Sequence, residues 1–332
     1  MSASPTAPPV FVGTLGIFPL EDKRLIAYDL TDGTERWRVA RSIVQQPATG
    51  EGLVFVADSD SLVALHQSDG QQAWQQEFPE ALAAPLIWDN GWLVVTTASG
   101  SVLALRAKDG SIIWRRDLGS TAVARPALAA DRVYIPIAER IIALKIEDGS
   151  VVWERRIGGV PNEVLALDDR VYVGSTDNYL YCLKSDAGAL DWRWPTGGDV
   201  VGQPIADEQK VYFVSLDNVL RALDRRTGNQ RWRRPLPLRP RAGPVRSGDL
   251  LVVSGVAPSL RMYAMKDGSP AGDTATDGEL AAPPYVLPDA DVETLIIVTR
   301  HLEKGTILTA LARASEPAPT PPDVTQTPPP KG

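Results

Sequence analysis

A repeat of about 40 residues runs through most of this 332-residue chain. Its marker is a tryptophan four residues after a glycine, and successive tryptophans stand 37, 40, 39, 39 and 40 residues apart. The six tryptophans are Trp37, Trp74, Trp114, Trp153, Trp192 and Trp232. The six glycines are Gly33, Gly70, Gly110, Gly149, Gly188 and Gly228. A fixed period of this length predicts a protein built from repeated structural units.

Each unit contains four short runs of apolar or β-branched residues separated by turn residues. In one unit the runs cover residues 84–88, 92–97, 102–105 and 112–116. Runs of this kind, bounded by Gly, Asp, Asn and Ser, are typical of antiparallel strands joined by tight hairpins. The sequence therefore predicts an all-β fold, a β-propeller of four-stranded antiparallel blades over residues 10–313. A parallel solenoid is the alternative, but its repeats are usually shorter and lack three hairpin turns per unit.

The number of units predicts about eight blades, with seven as the alternative. The first unit begins at Val10 and should lack an innermost strand, and the last, from about Ala281 to Ala314, should lack an outermost strand. We expect both missing strands upstream of Met1, so the chain is interpreted as N-terminally shortened. Residues 1–9 and the proline-rich residues 314–332 are predicted to be disordered segments, because neither composition can build a core.

The repeated glycine and tryptophan predict how the blades are held together. An Asp-Gly turn needs a positive φ, which glycine adopts without steric cost. The tryptophan buries a large ring against the neighbouring blade, and its indole N–H can reach a backbone carbonyl. All twelve residues of the two sets are therefore predicted to be structural blade-docking residues.

Few residues of the chain could support catalysis or metal binding. The net charge of −7 argues against a general binder of nucleic acid or anionic membranes. Cys182 is the single cysteine, so the chain has no internal disulfide and no cysteine-based metal site. His66 and His301 are the two histidines, and neither stands in a catalytic or metal-ligating spacing. The sequence predicts no catalytic, cofactor-binding or metal-binding residues and no enzyme activity.

Arginine is concentrated in the sixth unit, within a net-negative protein. The cluster consists of Arg221, Arg225, Arg226, Arg231, Arg233, Arg234, Arg239 and Arg241. The proline-stiffened residues 235–241 are interpreted as a recognition loop with exposed leucines and arginines. The candidate partner-binding residues are Arg233, Arg234, Leu236, Leu238, Arg239 and Arg241. The alternative is that these arginines lie on solvent-facing edge strands and serve only to prevent edge-to-edge aggregation.

The repeat resembles the quinoprotein-like (PQQ-like) propeller repeat, whose blades carry Ala-x-Asp-x-x-x-Gly-x-x-x-Trp. Ala27, Asp29, Gly33 and Trp37 match this pattern in full, and so does the unit that starts at Ala222. At this chain length the sequence is similar to the BamB-like group of outer-membrane assembly lipoproteins. The resemblance implies a monomeric, non-catalytic scaffold in the periplasm or at the outer membrane, tethered through a lipidated cysteine upstream. It implies protein partners, with the outer-membrane assembly machinery as a candidate, and neither a nucleic-acid partner nor a direct membrane span.

Two other classes share this repeat. PQQ-dependent dehydrogenases are much longer chains that hold the quinone between a tryptophan floor and a disulfide of adjacent cysteines, beside a calcium ion. The lone Cys182 cannot form that disulfide, and it occupies a small-residue position of the repeat, where an inert packed thiol is expected. A sensory propeller module detached from a larger signalling protein is the third interpretation.

Overall fold

The computed structural model describes residues 3–287, 294–301 and 305–312. Their strands form eight separate antiparallel sheets, which are the blades of an eight-bladed β-propeller, and the described residues contain no helix. The predicted all-β propeller is confirmed, with eight blades rather than seven.

In the first four blades the chain runs outward from the axis, strand by strand. Blade 1 comprises β1 (Val10–Val12), β2 (Leu15–Leu20), β3 (Arg24–Asp29) and β4 (Glu35–Ala40). Blade 2 comprises β5 (Ala48–Gly50), β6 (Leu53–Asp58), β7 (Ser61–His66) and β8 (Gln72–Glu77). Blade 3 comprises β9 (Ile87–Asp89), β10 (Trp92–Thr96), β11 (Ser101–Arg106) and β12 (Ile112–Asp117). Blade 4 comprises β13 (Ala127–Ala129), β14 (Arg132–Ile137), β15 (Arg140–Lys145) and β16 (Val151–Arg156).

The next three blades repeat this order, and the eighth modifies it. Blade 5 comprises β17 (Pro161–Ala166), β18 (Arg170–Ser175), β19 (Tyr179–Lys184) and β20 (Leu190–Pro195). Blade 6 comprises β21 (Val200–Ala206), β22 (Lys210–Ser215), β23 (Val219–Asp224) and β24 (Gln230–Pro235). Blade 7 comprises β25 (Val245–Ser247), β26 (Leu250–Val253), β27 (Ser259–Ala264) and β28 (Pro270–Ala275). Blade 8 comprises β29 (Glu279–Leu280), β30 (Tyr285–Leu287), β31 (Thr294–His301) and β32 (Gly305–Ala312).

The two middle strands of each blade supply the core. In blade 2, for example, Val54, Phe55 and Val56 are consecutive and fully buried. Side chains of a strand alternate between the two faces of its sheet, so consecutive buried residues mean that both faces are covered. The covering surfaces are the two neighbouring blades, because the buried clusters join residues of adjacent sheets.

The third and fourth strands of each of the first seven blades pair around a β-bulge. Directly before the bulge a small residue lies opposite the repeated tryptophan, as Ala27 opposite Trp37 and Cys182 opposite Trp192. Blade 7 reverses the sizes, because Met262 lies opposite Gly272. The small-residue position of the repeat therefore makes room for the indole beside it.

The two ends of the repeat differ from one another. Blade 1 is four-stranded, so the prediction that its innermost strand is missing is wrong. The innermost strands of five blades are only three residues long, and residues 10–12 are therefore enough to fill this position. In blade 8, β29 and β30 pair with one edge of β31 and β32 pairs with the other. Within the described ranges no strand lies outside β32, in line with the incomplete last unit.

Residues 3–9 pack against blade 1, whereas the sequence predicted a disordered segment over residues 1–9. Pro5 forms a bridge with Leu20, the Thr6 N–H donates to the carbonyl of Pro19, and Ala7 is buried. Proline suits this position because it is the edge of the sheet, where a missing N–H costs little. Residues 1–2 and the predicted tail, residues 314–332, lie outside the described residues.

Blade 8 and blade 1 close the ring through aromatic and polar contacts. Phe11 stacks on Tyr285 with 4.5 Å between ring centroids, and the Tyr285 hydroxyl donates to the Gly13 carbonyl at 3.2 Å. The Arg300 guanidinium donates to the Pro5 carbonyl at 3.0 Å. The described residues therefore form a continuous ring with a central channel.

Candidate functional site

The six repeated tryptophans lie at six successive blade junctions. Each indole N–H donates to a backbone carbonyl of the following blade. The pairs are Trp37 with Gln67 (2.7 Å), Trp74 with Ala107 (2.8 Å), Trp114 with Ile146 (2.6 Å), Trp153 with Ser185 (2.7 Å), Trp192 with Arg225 (3.0 Å) and Trp232 with Met265 (3.2 Å). These six side chains join neighbouring sheets, and none of them lines the central channel.

Each of these indole rings also lies on a turn glycine of the following blade. A Cβ added to that glycine would lie 2.5–2.7 Å from the nearest ring atom. The glycines are Gly70, Gly110, Gly149, Gly188, Gly228 and Gly268. Gly33 was predicted to be one of this set, but a Cβ there would meet nothing within 4 Å, and Gly268 was missed. The glycines that contact the indoles are thus shifted by one repeat unit from the predicted glycines, because each tryptophan contacts the turn of the next blade rather than the turn of its own blade.

Most arginines of the sixth unit are engaged by nearby acceptors. Arg225 pairs with Asp169 at 3.2 Å and Arg231 with Asp224 at 2.6 Å, while Arg241 pairs with Glu279. The Arg234 guanidinium donates to the carbonyls of Gly268 (2.6 Å) and Asp267 (2.9 Å) in blade 7. The predicted positive patch is therefore smaller than the arginine count indicates.

Arg221 belongs to a buried polar network. It contacts Asp217 and also donates to the Ser215 hydroxyl at 2.6 Å. Burial raises the pKa of Asp217, but the hydrogen bonds from Arg221, Ser215 and the Gly197 N–H outweigh it, and the resulting pKa is about 2. This arginine is part of the fold and is not available to a partner.

The Asp217 network predicts an acid-dependent loss of stability. Its folded pKa lies below the ordinary 3.8, so its contribution is fully present above about pH 4 and is lost as pH falls towards 2. We expect Asp217→Asn to lower the free energy of unfolding by about 2 kcal/mol at pH 7, with a smaller deficit below pH 3. Urea unfolding at several pH values, with the exposed Asp186→Asn as control, measures this. A deficit independent of pH would contradict it.

Residues 235–241 form a connection that bends at residues 237 and 238 and in which exposed and buried residues alternate. Leu236 and Leu238 are only 6% and 5% exposed and pack with Leu251 and Val253, so the prediction that they are exposed is wrong. The intervening positions, among them Arg239, point to solvent, as does Arg241. Pro240 forms a bridge with Gly255, which extends blade 7. The two buried leucines anchor this connection and leave the two arginines exposed.

The six candidate partner-binding residues therefore fall into two groups. Arg233, Arg239 and Arg241 are exposed. Arg234, Leu236 and Leu238 hold the sixth blade and its connection in place. Only the first group is exposed to another molecule, and within it Arg241 also pairs with the exposed Glu279.

Arg239 and Arg241 lie on what we call the connection face. This face consists of the turns between the second and third strands of each blade and the segments that link one blade to the next. Each linking segment starts by bonding to the turn of its own blade, as the Leu236 N–H does to Asn218 at 2.7 Å. Four large apolar side chains are exposed on this face: Val44, Val123, Val160 and Val256. The Val256 N–H donates to the Arg239 carbonyl at 3.0 Å, which places an exposed valine next to the exposed arginines.

The described residues contain no recognisable catalytic or metal centre. No group of three or more His, Cys, Asp or Glu side chains in these ranges could hold a metal ion. His66 is exposed at the end of β7, and His301 lies 3.6 Å from Asp277. Burial raises the pKa of the Cys182 thiol to about 12, which keeps it protonated and unreactive. Likewise, no helix in this part of the chain is long and apolar enough to cross a membrane.

The residues of this chain do not fit the quinone cofactor that is bound by dehydrogenases with a similar repeat. That cofactor is held in quinoprotein dehydrogenases against a disulfide of adjacent cysteines, and this chain has a single, fully buried cysteine. The repeated tryptophans, which could offer a flat surface, are enclosed between blades. The residues of this chain therefore give no basis for a quinone-dependent reaction step.

Comparison with known proteins agrees with the propeller architecture. The model of the family described as outer membrane protein assembly factor BamB matches residues 21–166 and 156–281. The chain is 27% identical over 125 residues to outer membrane protein assembly factor BamB of Marinobacter adhaerens, an alignment that covers 37% of this chain and 32% of that protein. The matched stretch thus spans about a third of the relative's length.

Two solved structures share the fold at low sequence identity. BamB from Moraxella catarrhalis superposes with a TM-score of 0.73 at 20% identity, covering 92% of this chain and 96% of the other. Quinohemoprotein alcohol dehydrogenase from Comamonas testosteroni superposes with a TM-score of 0.72 at 12% identity, covering 95% and 76%. An assembly factor and an enzyme therefore have this ring in common, and the fold does not separate them.

Proposed function

The chain belongs to the family described as outer membrane protein assembly factor BamB, and from that membership we propose that it is a non-catalytic scaffold that binds protein partners during outer-membrane protein assembly. Its site of action would then be the periplasm or the periplasmic side of the outer membrane. Family membership supports this role, and so does the poor fit of the chain's residues to a quinone or a metal centre.

The observation that carries the proposal is the composition of the connection face near blades 6 and 7. Arg239, Arg241 and Val256 are exposed there side by side, on a segment that the buried Leu236 and Leu238 hold rigidly. Arginine and apolar side chains presented on a fixed backbone are typical of protein interfaces, because little side-chain and backbone freedom is lost on binding. The opposite face carries the turns between the third and fourth strands of each blade.

We expect Arg239→Glu together with Arg241→Glu to weaken partner capture by about tenfold or more, since two charges are reversed at the proposed contact. The measurement is affinity capture from solubilised cell envelopes, with quantification of the outer-membrane assembly proteins by mass spectrometry. Thermal unfolding should change little, because both side chains are exposed and surface ion pairs contribute little to stability.

A matched control reverses two charges on the opposite face. Lys108 and Arg226 are exposed on the turns between the third and fourth strands of blades 3 and 6, so Lys108→Glu with Arg226→Glu changes the net charge equally. Capture should then remain near the wild-type level. Equal capture by wild type and both double variants would remove the connection face from consideration.

A further inference from the structure

The central channel has a wide part and a narrow chamber. The wide part has a volume of about 730 Å³ and is lined by residues from all eight blades. The chamber has a volume of about 280 Å³ and lies among the innermost strands of blades 3–6. Arg125, Glu163 and Gln203 line both parts. A molecule entering through the wide part would therefore meet these three side chains before it reached the chamber.

Arg125 departs from the repeat at this point. It precedes Pro126, and the residues that precede the corresponding prolines elsewhere are Gln46, Ala84, Gln203, Gly243 and Ala282. The two glutamines bridge to the preceding blade: Gln46 donates to the Pro9 carbonyl at 3.0 Å and Gln203 to the Val164 carbonyl at 2.7 Å. At those prolines the position carries small or amide side chains, whereas in the strand register it is charged in two neighbouring blades, as Arg125 in blade 4 and Glu163 in blade 5.

The Arg125 guanidinium has no partner of its own. No hydrogen bond or ion pair joins it to another residue of the described ranges, although Glu163 lines the same space. Its side chain is open to the channel, while the surrounding protein removes enough solvent to lower the pKa of Arg125 below its usual value. Glu163 raises the pKa of Arg125 against this effect without contacting it, so the guanidinium donors remain open to an anionic group in the channel.

Trp88 forms one wall of the chamber and lacks a hydrogen-bond acceptor. Its ring lies flat against Gly50 of blade 2, where an added Cβ would be 2.0 Å from the ring atom Cδ2. Its indole N–H is buried and has no partner within the described part of the chain. This tryptophan stands outside the repeated position, so it does not dock blades through its N–H as the other six do.

The remaining lining restricts the charge and shape of a ligand. Asp89 and Glu163 also line the chamber, so a second or third negative charge on the ligand would be repelled. Ile87, Leu128 and Leu165 add apolar surface. A planar guanidinium matches a carboxylate through two parallel hydrogen bonds, whereas the neighbouring carboxylates disfavour the higher charge of a phosphate.

We propose that the chamber binds a small monocarboxylate with an apolar body, whose carboxylate pairs with Arg125 and whose body packs beside Trp88. The chamber is about the size of a compact organic acid or of the terminal residue of a peptide. This binding site is separate from the proposed protein-binding face, so either proposal can fail without the other.

Isothermal titration calorimetry with benzoate, phenylalanine and N-acetylphenylalanine tests the proposal on the whole chain, with benzamide as a neutral isostere and inorganic phosphate as a second oxyanion. We expect at least one of the three carboxylates to bind and benzamide and phosphate to bind at least about tenfold more weakly. N-acetylphenylalanine against its amide then separates a peptide carboxyl terminus from a free amino acid as the source of the carboxylate.

Arg125→Gln should weaken the binding carboxylate by about tenfold or more, because it removes the charge and keeps a hydrogen-bonding side chain. Arg246→Gln is the matched control, since Arg246 lines the wide part of the channel but not the chamber, and it should change binding less than twofold. The protein is labelled with 5-fluorotryptophan for ¹⁹F NMR. The resonance of Trp88 is identified as the one that is absent from the Trp88→Phe variant. This resonance should shift when the binding carboxylate is titrated into the protein.

Three results would overturn the proposal. They are no binding by any of the three carboxylates at millimolar concentration, equal binding by Arg125→Gln and wild type, and tighter binding of phosphate than of the carboxylates. A ligand-induced shift in a fluorotryptophan resonance other than that of Trp88 would also place the site elsewhere.

Discussion

Trp153→Ala should lower the free energy of unfolding by about 3–5 kcal/mol, the cost of a large-to-small change at a buried aromatic. Trp153 is 7% exposed, its ring covers Gly188 of the next blade, and its N–H donates to the Ser185 carbonyl at 2.7 Å. The substitution removes apolar contact at a blade junction and one of two donors to that carbonyl, which also accepts from the Arg132 guanidinium. Equilibrium unfolding in urea, followed by tryptophan fluorescence and circular dichroism, measures the loss.

Leu190→Ala is a suitable control for this prediction. Leu190 also lies on an outermost strand, in the blade that Trp153 contacts, but it is among the exposed apolar residues. Its truncation should change the free energy of unfolding by less than about 0.5 kcal/mol. A loss for Trp153→Ala no larger than that for Leu190→Ala would show that the indoles do not hold the blades together.

The repeat was sufficient to predict the architecture because blade-to-blade contact is the same at every junction. Six tryptophans at one spacing, each behind a turn glycine, require six equivalent environments, and a ring of sheets provides them. The same regularity concealed which glycine each indole meets. Trp153 follows Gly149 by four residues but lies on Gly188, 35 residues further along the chain. In a periodic sequence a displacement by one whole unit leaves every spacing unchanged, so only the first and last turns reveal it.

The surface features could be predicted less well, for two different reasons. The burial of Leu236 and Leu238 was present in the sequence as a period-two pattern of alternating leucines, but the prolines favoured a loop interpretation. The ion pairs that engage Arg225 and Arg241 join them to Asp169 and Glu279, which lie 56 and 38 residues away, and no local pattern indicates such partners. Arg125 was detectable in principle, as the single charged residue before a repeated proline, once the units are aligned.

In blade 7 the large and the small residue that lie opposite each other at the bulge are exchanged. The repeat therefore keeps one large and one small residue in this pair even where the residue types change. Where Gly272 replaces the tryptophan, Met262 replaces the small residue opposite it, and its Cε would lie 3.7 Å from a Cβ at Gly272. The junction between blades 7 and 8 thus lacks an indole. It is held by Leu260 and Val252 of blade 7 packed against Leu295 and Ile297 of blade 8.

Gly188→Ala should lower the free energy of unfolding by about 2–5 kcal/mol, and two effects contribute to this value. The φ of Gly188 is +64°, a left-handed conformation that costs alanine about 1–2 kcal/mol. The added methyl would also lie 2.5 Å from Cε3 of Trp153, and such overpacking costs about 1–3 kcal/mol. Gly33→Ala isolates the first effect, because its φ is +72° but an added Cβ meets nothing within 4 Å. We therefore expect Gly33→Ala to cost only about 1–2 kcal/mol.

A double variant separates the backbone effect from the contact with the indole. In Trp153→Ala the ring is absent, so adding Gly188→Ala should cost no more than Gly33→Ala does in the wild type. The two substitutions at this junction would then be coupled by about 1–3 kcal/mol, as expected for residues in direct contact. If Gly188→Ala costs the same with and without the Trp153 ring, the glycine is required for its φ alone. The turn would then be independent of the neighbouring blade, and the indole N–H bond would have to account for docking by itself.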